Sequence, residues 1–266
     1  MSLVRVEAPR PHVRVLTLNN PKRLNAMSFA LVEALYAALA QVAADNDAWV
    51  AVLTGTGRGF CSGLDLEDNA PPPGSEGMGL PRLAMRAMTF MAGVVPAMRG
   101  IPQPIIAAVN GPAYGGGMCL TLGADVRIAA DSAVFSAAAI TNGLTGSELG
   151  ATYLLPRAVG TSNAAEILLT GRKVGAEEAL RIGLVSRVVP DGEVLDSALQ
   201  MADQMCELSP FGIQMTKAVL WSNLEASSLT AALDLENRNQ LLAGYTGNLD
   251  EAKTAFREKR KPVYRD

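Results

Sequence analysis

Two short segments of the 266-residue chain carry residue types suited to chemistry on a carbonyl group. The first is Phe60-Cys-Ser-Gly-Leu-Asp-Leu66 and the second is Val109-Asn-Gly-Pro-Ala-Tyr-Gly-Gly-Gly-Met-Cys119. Each follows an apolar stretch that reads as a short strand, and each puts small residues where a main-chain amide could face a cleft. Glycine permits positive φ and lets a ligand approach the backbone closely. In the second segment the glycines fall at a predicted helix start. There the first N–H groups lack intrahelical acceptors and the helix dipole adds partial positive charge. Two such amides aimed at one point form an oxyanion hole. One donor of this kind contributes roughly 3–4 kcal/mol to a transition state that gathers charge on oxygen. On spacing alone, a tight turn or a close helix–sheet contact would use the same glycines.

Other chemistries fit poorly. Gly115-Gly-Gly117 is out of register for a dinucleotide fingerprint, and Gly55-x-Gly57-x-Gly59 leads into Phe-Cys-Ser instead of a helix. No Gly-Lys-Ser/Thr is present for a phosphate-binding loop. The single histidine, His12, argues against a histidine metal site or a Ser-His-Asp triad. Cys61, Cys119 and Cys206 have no metal-ligand spacing and cannot all pair, which points to a reducing compartment.

The elements that must position the two turns can be read from periodicity. Residues 13–18, 49–53, 104–109, 126–129, 133–136 and 184–189 read as strands. Ser28 is placed as the N-cap of a helix with Phe29, Val32, Leu35, Tyr36 and Leu39 on one face. Residues 69–81, rich in proline and glycine, read as a mobile surface loop. A methionine-rich helix is expected over 83–98, with methionines suited to core filling or to an adaptable pocket. Helices are expected near 148–158, 162–169 and 176–182. Beyond residue 192 only helical patterns occur, at 192–207, 210–223, 227–243 and 249–260. Strand–helix alternation followed by helices gives an α/β core with a helical C-terminal lobe, divided here as 1–200 and 201–266.

Composition limits the function classes. With 49% hydrophobic and 18% charged residues the chain is globular. A net charge of −3 argues against nucleic-acid binding held by overall charge. The apolar stretch 105–124 contains Asn110, Pro112 and several glycines, so it does not read as a membrane span. No secretory signal is visible, and a cytoplasmic protein is expected. The last 16 residues are locally basic, which suits a solvated helix face or a contact for an anionic ligand or neighbouring subunit.

Seven segments taken together resemble the enoyl-CoA hydratase/isomerase (crotonase) superfamily over nearly the whole chain. They are Leu18-Asn-Asn-Pro-Lys-Arg-Leu-Asn-Ala26, the two turns above, Ala124-Asp-Val-Arg-Ile-Ala129, Leu154-Leu-Pro-Arg-Ala-Val-Gly160, Leu169-Thr-Gly-Arg172 and Gly183-Leu-Val-Ser186. The resemblance implies a ββα spiral whose C-terminal helices build a homotrimer or a dimer of trimers. It implies an acyl-CoA thioester as substrate, coenzyme A being part of that substrate and no further cofactor or metal being needed. The thioester enolate would be held by the main-chain amides of Leu64 and Gly116. The coenzyme A path would run along Lys22, Arg23, Leu24, Ala26, Ser62, Leu64, Asp65, Leu66 and Tyr114, with Lys22 and Arg23 meeting phosphates. Lys259-Arg-Lys-Pro262 would reach a neighbouring subunit's coenzyme A. Asp65 and Asp125 are expected to be structural acceptors of backbone hydrogen bonds.

The catalytic acids depart from the family pattern. Where family hydratases place their two glutamates, this chain has Cys119 and the apolar Ala139-Ile140. Hydration needs groups that orient water and move protons, so the standard hydratase mechanism is not supported by these positions. Glu148 lies eight residues before Pro156, the offset at which family isomerases carry their proton-shuttling glutamate. A single carboxylate in an apolar cleft suits double-bond isomerisation, because desolvation raises its pKa. The competing role is a carboxylate in the first turn of its own helix. Isomerisation through Glu148 is the favoured expectation; a hydratase with atypical acids and a non-catalytic acyl-CoA binder are the alternatives.

Overall fold

The protein is described by a computed structural model covering residues 2–265. Nine strands among the described residues form two sheets: β1 (Val4–Arg10), β2 (Val13–Leu18), β3 (Val50–Gly55), β4 (Ile105–Val109), β5 (Ala113–Tyr114), β6 (Val126–Ala130), β7 (Val134–Ser136), β8 (Val174–Gly175) and β9 (Arg187–Val189). The larger sheet has the order β1-β2-β3-β4-β6-β9. Only its β1–β2 pair is antiparallel. The smaller sheet pairs β7 with β5 and β8.

The helices are α1 (Phe29–Ala43), α2 (Leu80–Ala92), α3 (Val94–Gly100), α4 (Gly116–Gly123), α5 (Ala151–Val159), α6 (Thr161–Thr170), α7 (Ala176–Arg181), α8 (Val194–Cys206), α9 (Pro210–Asn223), α10 (Leu229–Ala243) and α11 (Asn248–Glu258). Both faces of the larger sheet are covered at its central strands β3 and β4, which explains their nearly continuous apolar sequences. Alternate side chains serve opposite faces. Ala51, Leu53, Ala107 and Val109 pack with residues of α1, α3 and α4, whereas Val50, Val52, Ile106 and Ala108 pack with Ala198, Leu199 and Ala202 of α8. Residue 200, the expected boundary of the helical lobe, therefore falls inside a helix that belongs to the core.

Several expected elements need correction. The single helix over 83–98 is two helices broken at Gly93. Pro96 lacks the N–H that would bond the carbonyl of Ala92, and a side chain at Gly93 would begin 2.6 Å from the Tyr36 hydroxyl. On α2 only Met91 is buried, while Met85 and Met88 are exposed. The helix expected from 148 begins at Ala151. Strand β1 was not apparent in the sequence, since a single residue of its seven, Val4, is buried. The N-cap at Ser28 is as expected: its hydroxyl accepts the Leu31 N–H at 3.1 Å.

One buried ion pair fastens α9 to the sheet. Lys217 Nζ lies 3.1 Å from Asp125 Oδ2 and donates to the Gln103 carbonyl at 2.8 Å. Asp125 also accepts from the Ile105 amide and the Trp221 indole, each at 2.6 Å. Burial lowers the Lys217 pKa, opposed by the carboxylate beside it. Removing one partner leaves the other charge without compensation in a low dielectric. Lys217→Met is expected to cost about 3–5 kcal/mol of stability, measured as a shift in urea unfolding; a variant as stable as the parent would show that the pair fastens nothing.

Candidate active site

The two glycine-bearing turns are laced together by the main chain. The amides of Phe60 and Cys61 both donate to the Pro112 carbonyl, and the Tyr114 amide donates to the Cys61 carbonyl at 3.0 Å. Asn25 anchors the first turn from beneath. It is fully buried, its φ is 55°, and its side-chain amide donates to the carbonyls of Thr56, Gly59 and Phe60. Its Oδ1 accepts the Asn20 amide at 2.8 Å. The Asn20–Ala26 segment is thereby locked to the first turn. Nothing local in the Leu18–Ala26 motif marks Asn25 for this role, because its carbonyl partners lie more than thirty positions away.

Leu64 pairs with Met27 in an isolated parallel bridge. Met27 N–H donates to the Gly63 carbonyl and Asp65 N–H donates to the Met27 carbonyl. That pattern engages the residues flanking Leu64 and turns Leu64's own N–H away from Met27. Gly116 opens α4, so its N–H has no intrahelical acceptor. Neither amide donates to a protein acceptor among the described residues. The turns meet closely at Gly63, whose φ is 88°: a Cβ there would lie 2.6 Å from the Tyr114 carbonyl oxygen and 3.3 Å from the Gly116 nitrogen. A Cβ on Gly117 would lie 2.1 Å from the Cys61 carbonyl oxygen. These glycines permit the close approach of the two turns. The Leu64 side chain is 46% exposed and Leu66 is 68% exposed.

Glu148 comes to the same place from the loop before α5. A Cβ on Gly115 would stand 3.2 Å from Glu148 Oε1, and 3.9 Å from the Ala139 nitrogen. That carboxylate oxygen is buried and has no hydrogen-bond partner among the described residues. Burial raises the Glu148 pKa above its ordinary value. Helix α5 has Gly150 at its N-cap and no acidic residue in its first turn, so Glu148 does not serve its own helix as a first-turn charge. The next two residues are left-handed, Leu149 with φ 44° and Gly150 with φ 83°, and this turns the chain sharply between the carboxylate and α5. Cys119 is buried on α4 and donates its S–H to the Glu148 carbonyl at 3.5 Å. Burial, reinforced by the Glu148 charge, lifts the Cys119 thiol well above its usual pKa, so it stays neutral.

The remaining expected residues fall as follows. Leu24 and Ala26 adjoin the first turn, to which Ser62 belongs, and the Ser62 amide donates to the Leu24 carbonyl at 3.0 Å. Arg23 is bound by both Asp65 and Glu67. The Arg23 hydrogen bond holds Asp65 below the usual carboxylate range, and Asp65 also accepts the Glu67 amide at 3.1 Å. Lys22 is exposed and forms no ion pair among the described residues. Tyr114 sits under Lys173, whose Nζ is 6.0 Å from the ring centroid. In the basic tail, Arg260 is paired with Glu251 and Glu258, and Lys261 with Glu207. Among the described residues no group of three or more His, Cys, Asp and Glu is arranged to hold a metal ion, and no helix is long and apolar enough to cross a membrane.

Comparison with known proteins decides the family. The sequence model described as enoyl-CoA hydratase/isomerase matches residues 10–266. The chain belongs to the enoyl-CoA hydratase/isomerase family. A protein of Mycobacterium bovis named "probable enoyl-CoA hydratase" is 52% identical over 100% of this chain and 94% of its own length. A crystal structure of a "probable enoyl-CoA hydratase/isomerase" from Mycobacterium abscessus superposes with a TM-score of 0.94 at 45% identity, covering 100% of this chain and 99% of that one. A "monofunctional enoyl CoA isomerase" from M. smegmatis gives a TM-score of 0.74 at 46% identity, covering 88% of this chain and 99% of that one. The protein is thus an enzyme of the enoyl-CoA hydratase/isomerase family with the crotonase fold.

Proposed function

We propose that the protein moves the double bond of an enoyl-CoA thioester, with Glu148 as the single acid–base group. The observation that carries this reading is the Glu148 carboxylate: one oxygen is buried, unpartnered and set against the second glycine turn. The places of the hydratase glutamates hold a neutral thiol and alanine–isoleucine. The thioester oxygen is held by the N–H groups of Leu64 and Gly116. Glu148 lifts the α proton of a 3-enoyl ester, the negative charge moves onto the thioester oxygen, and the same carboxyl returns a proton at the γ carbon. The fixed amide dipoles meet charge that exists only during reaction, which is where binding accelerates chemistry. Lys22, free of carboxylates, is the better phosphate partner; Arg23 is already neutralised by Asp65 and Glu67. The assembly fitting this role is the homotrimer or dimer of trimers. Helix α10 buries none of its residues and leaves Leu229, Leu233, Leu241 and Leu242 exposed for a neighbour.

The test compares two esters. With 3-hexenoyl-CoA, the conjugated 2-enoyl product is expected to accumulate; with crotonyl-CoA, formation of the 3-hydroxyacyl ester is expected to be at least a hundredfold slower, about the effect of one missing proton-transfer group. Hydration of crotonyl-CoA as fast as isomerisation would overturn the reading, as would tight ester binding without turnover of either.

A further inference from the structure

A cavity of about 760 Å³ lies between α3, α5 and α9. It is lined by Leu149 and Gly150, but by none of Leu64, Gly116 and Glu148. Its charged lining is one-sided. Arg99, Arg127 and Arg157 line it, and Glu225 is its only carboxylate among the described residues. None of the three arginines forms an ion pair among the described residues. Arg99 is stacked 3.4 Å over the Trp221 ring, donates one N–H to the Leu122 carbonyl, and has a buried Nε without a partner. Arg127 donates to the carbonyls of Leu184 and Ala124. Arg157 stacks 3.5 Å over Tyr153 at the exposed rim. Glu225 accepts the Tyr153 hydroxyl at 2.7 Å. The nearby carboxylate of Asp125 accepts from Lys217, Trp221 and Ile105, and its charge also favours the charged forms of Arg99 and Arg127; with Lys217 counted, four cations then face two carboxylates. Burial lowers the pKa of Arg99 and pushes that of Arg127 to about 10, with Arg99 adding to the latter effect; an arginine guanidinium stays charged at neutral pH.

Arg99 and Arg127 are half-buried and Arg157 stands at the rim; with one already engaged carboxylate in the lining, the two inner guanidinium groups are a cost unless an anion joins them. Arginine presents its donors as a planar fork that matches a carboxylate. The rest of the wall is apolar, from Ala92 and Val95 on α3 to Leu154 on α5 and Leu220 on α9. We propose that this cavity is a second ligand site, separate from the catalytic cleft, that takes an amphipathic carboxylate: the acid group between the arginines and an alkyl or aryl body against the apolar wall.

The test uses decanoate and the intrinsic fluorescence of Trp221; the other tryptophan, Trp49, is stacked on His12 elsewhere and gives a constant background. Decanoate is expected to change the fluorescence saturably, and to do so equally when butyryl-CoA is present in excess. Acetate, which lacks the body, and 1-decanol, which lacks the charge, are expected to bind at least tenfold more weakly. Arg157→Ala, an exposed position that leaves the fold intact, is expected to weaken decanoate at least tenfold. Equal binding of decanol, unchanged affinity in Arg157→Ala, loss of the signal under butyryl-CoA, or no saturable signal would each overturn the proposal.

Discussion

Glu148→Gln is expected to lower kcat on a 3-enoyl-CoA by about 10³-fold, within the range contributed by a positioned general base, with little change in KM. Glutamine keeps the shape of the side chain and removes the basic oxygen. If the carboxylate performs both proton transfers, its loss abolishes the exchange of substrate α protons with solvent deuterium while the ester still binds. No neighbouring group can substitute: the Cys119 thiol is held neutral by burial and by Glu148 itself, and Ala139 carries no proton donor. Undiminished α-proton exchange in the variant would remove Glu148 from the mechanism.

The same carboxylate sets the pH behaviour. A base must be ionised to act, so kcat/KM is expected to fall as pH drops through the raised pKa of Glu148, above the ordinary 4.5 of a free glutamate. Stability runs the other way. A folded-state pKa above the unfolded value means that the folded protein holds the proton more tightly. The contribution to stability is complete below about 4.5 and is lost as pH rises through the folded-state pKa. At neutral pH the buried charge is therefore a burden, and Glu148→Gln is expected to raise Tm there, with the gain shrinking as the pH approaches 4.5. A variant that is inactive but melts higher separates a functional carboxylate from a structural one.

Local signals carried most of the core. Ser28 before a helical apolar face, and strands with both faces buried such as β3 and β4, were legible because capping and periodicity act over a few residues. Both glycine turns were legible for the same reason. What escaped depends on distant partners. The exposed strand β1 is fixed by pairing with β2 and not by its own pattern. Asn25 works by reaching carbonyls more than thirty positions along the chain. Asp125 accepts the Ile105 amide, as expected from the sequence, but its ion pair with Lys217 and its bond to Trp221 need α9 in place. The offset from Pro156 singles out Glu148, but not its local setting: it stands just before the left-handed pair Leu149–Gly150, ahead of α5, where no periodicity marks it.

The second large effect is expected from Gly63→Ala, which should lower kcat/KM by about 10²–10³-fold, the loss associated with one oxyanion donor. Gly63 has no side chain and takes no part in proton transfer, so the expectation rests on geometry alone. At φ 88° an L-residue is strained, and its Cβ would sit 2.6 Å from the Tyr114 carbonyl oxygen, a backbone atom that cannot swing aside. Relief requires the first turn to retreat from the second, and the peptide that moves is the one bearing the Leu64 N–H. Leu64→Ala provides the control: it alters an exposed side chain while leaving the amide in place, and should cost less than tenfold, under about 1.4 kcal/mol. A protein in which Leu64→Ala is more damaging than Gly63→Ala would mean that the leucine side chain, not its main-chain N–H, carries the function of the first turn.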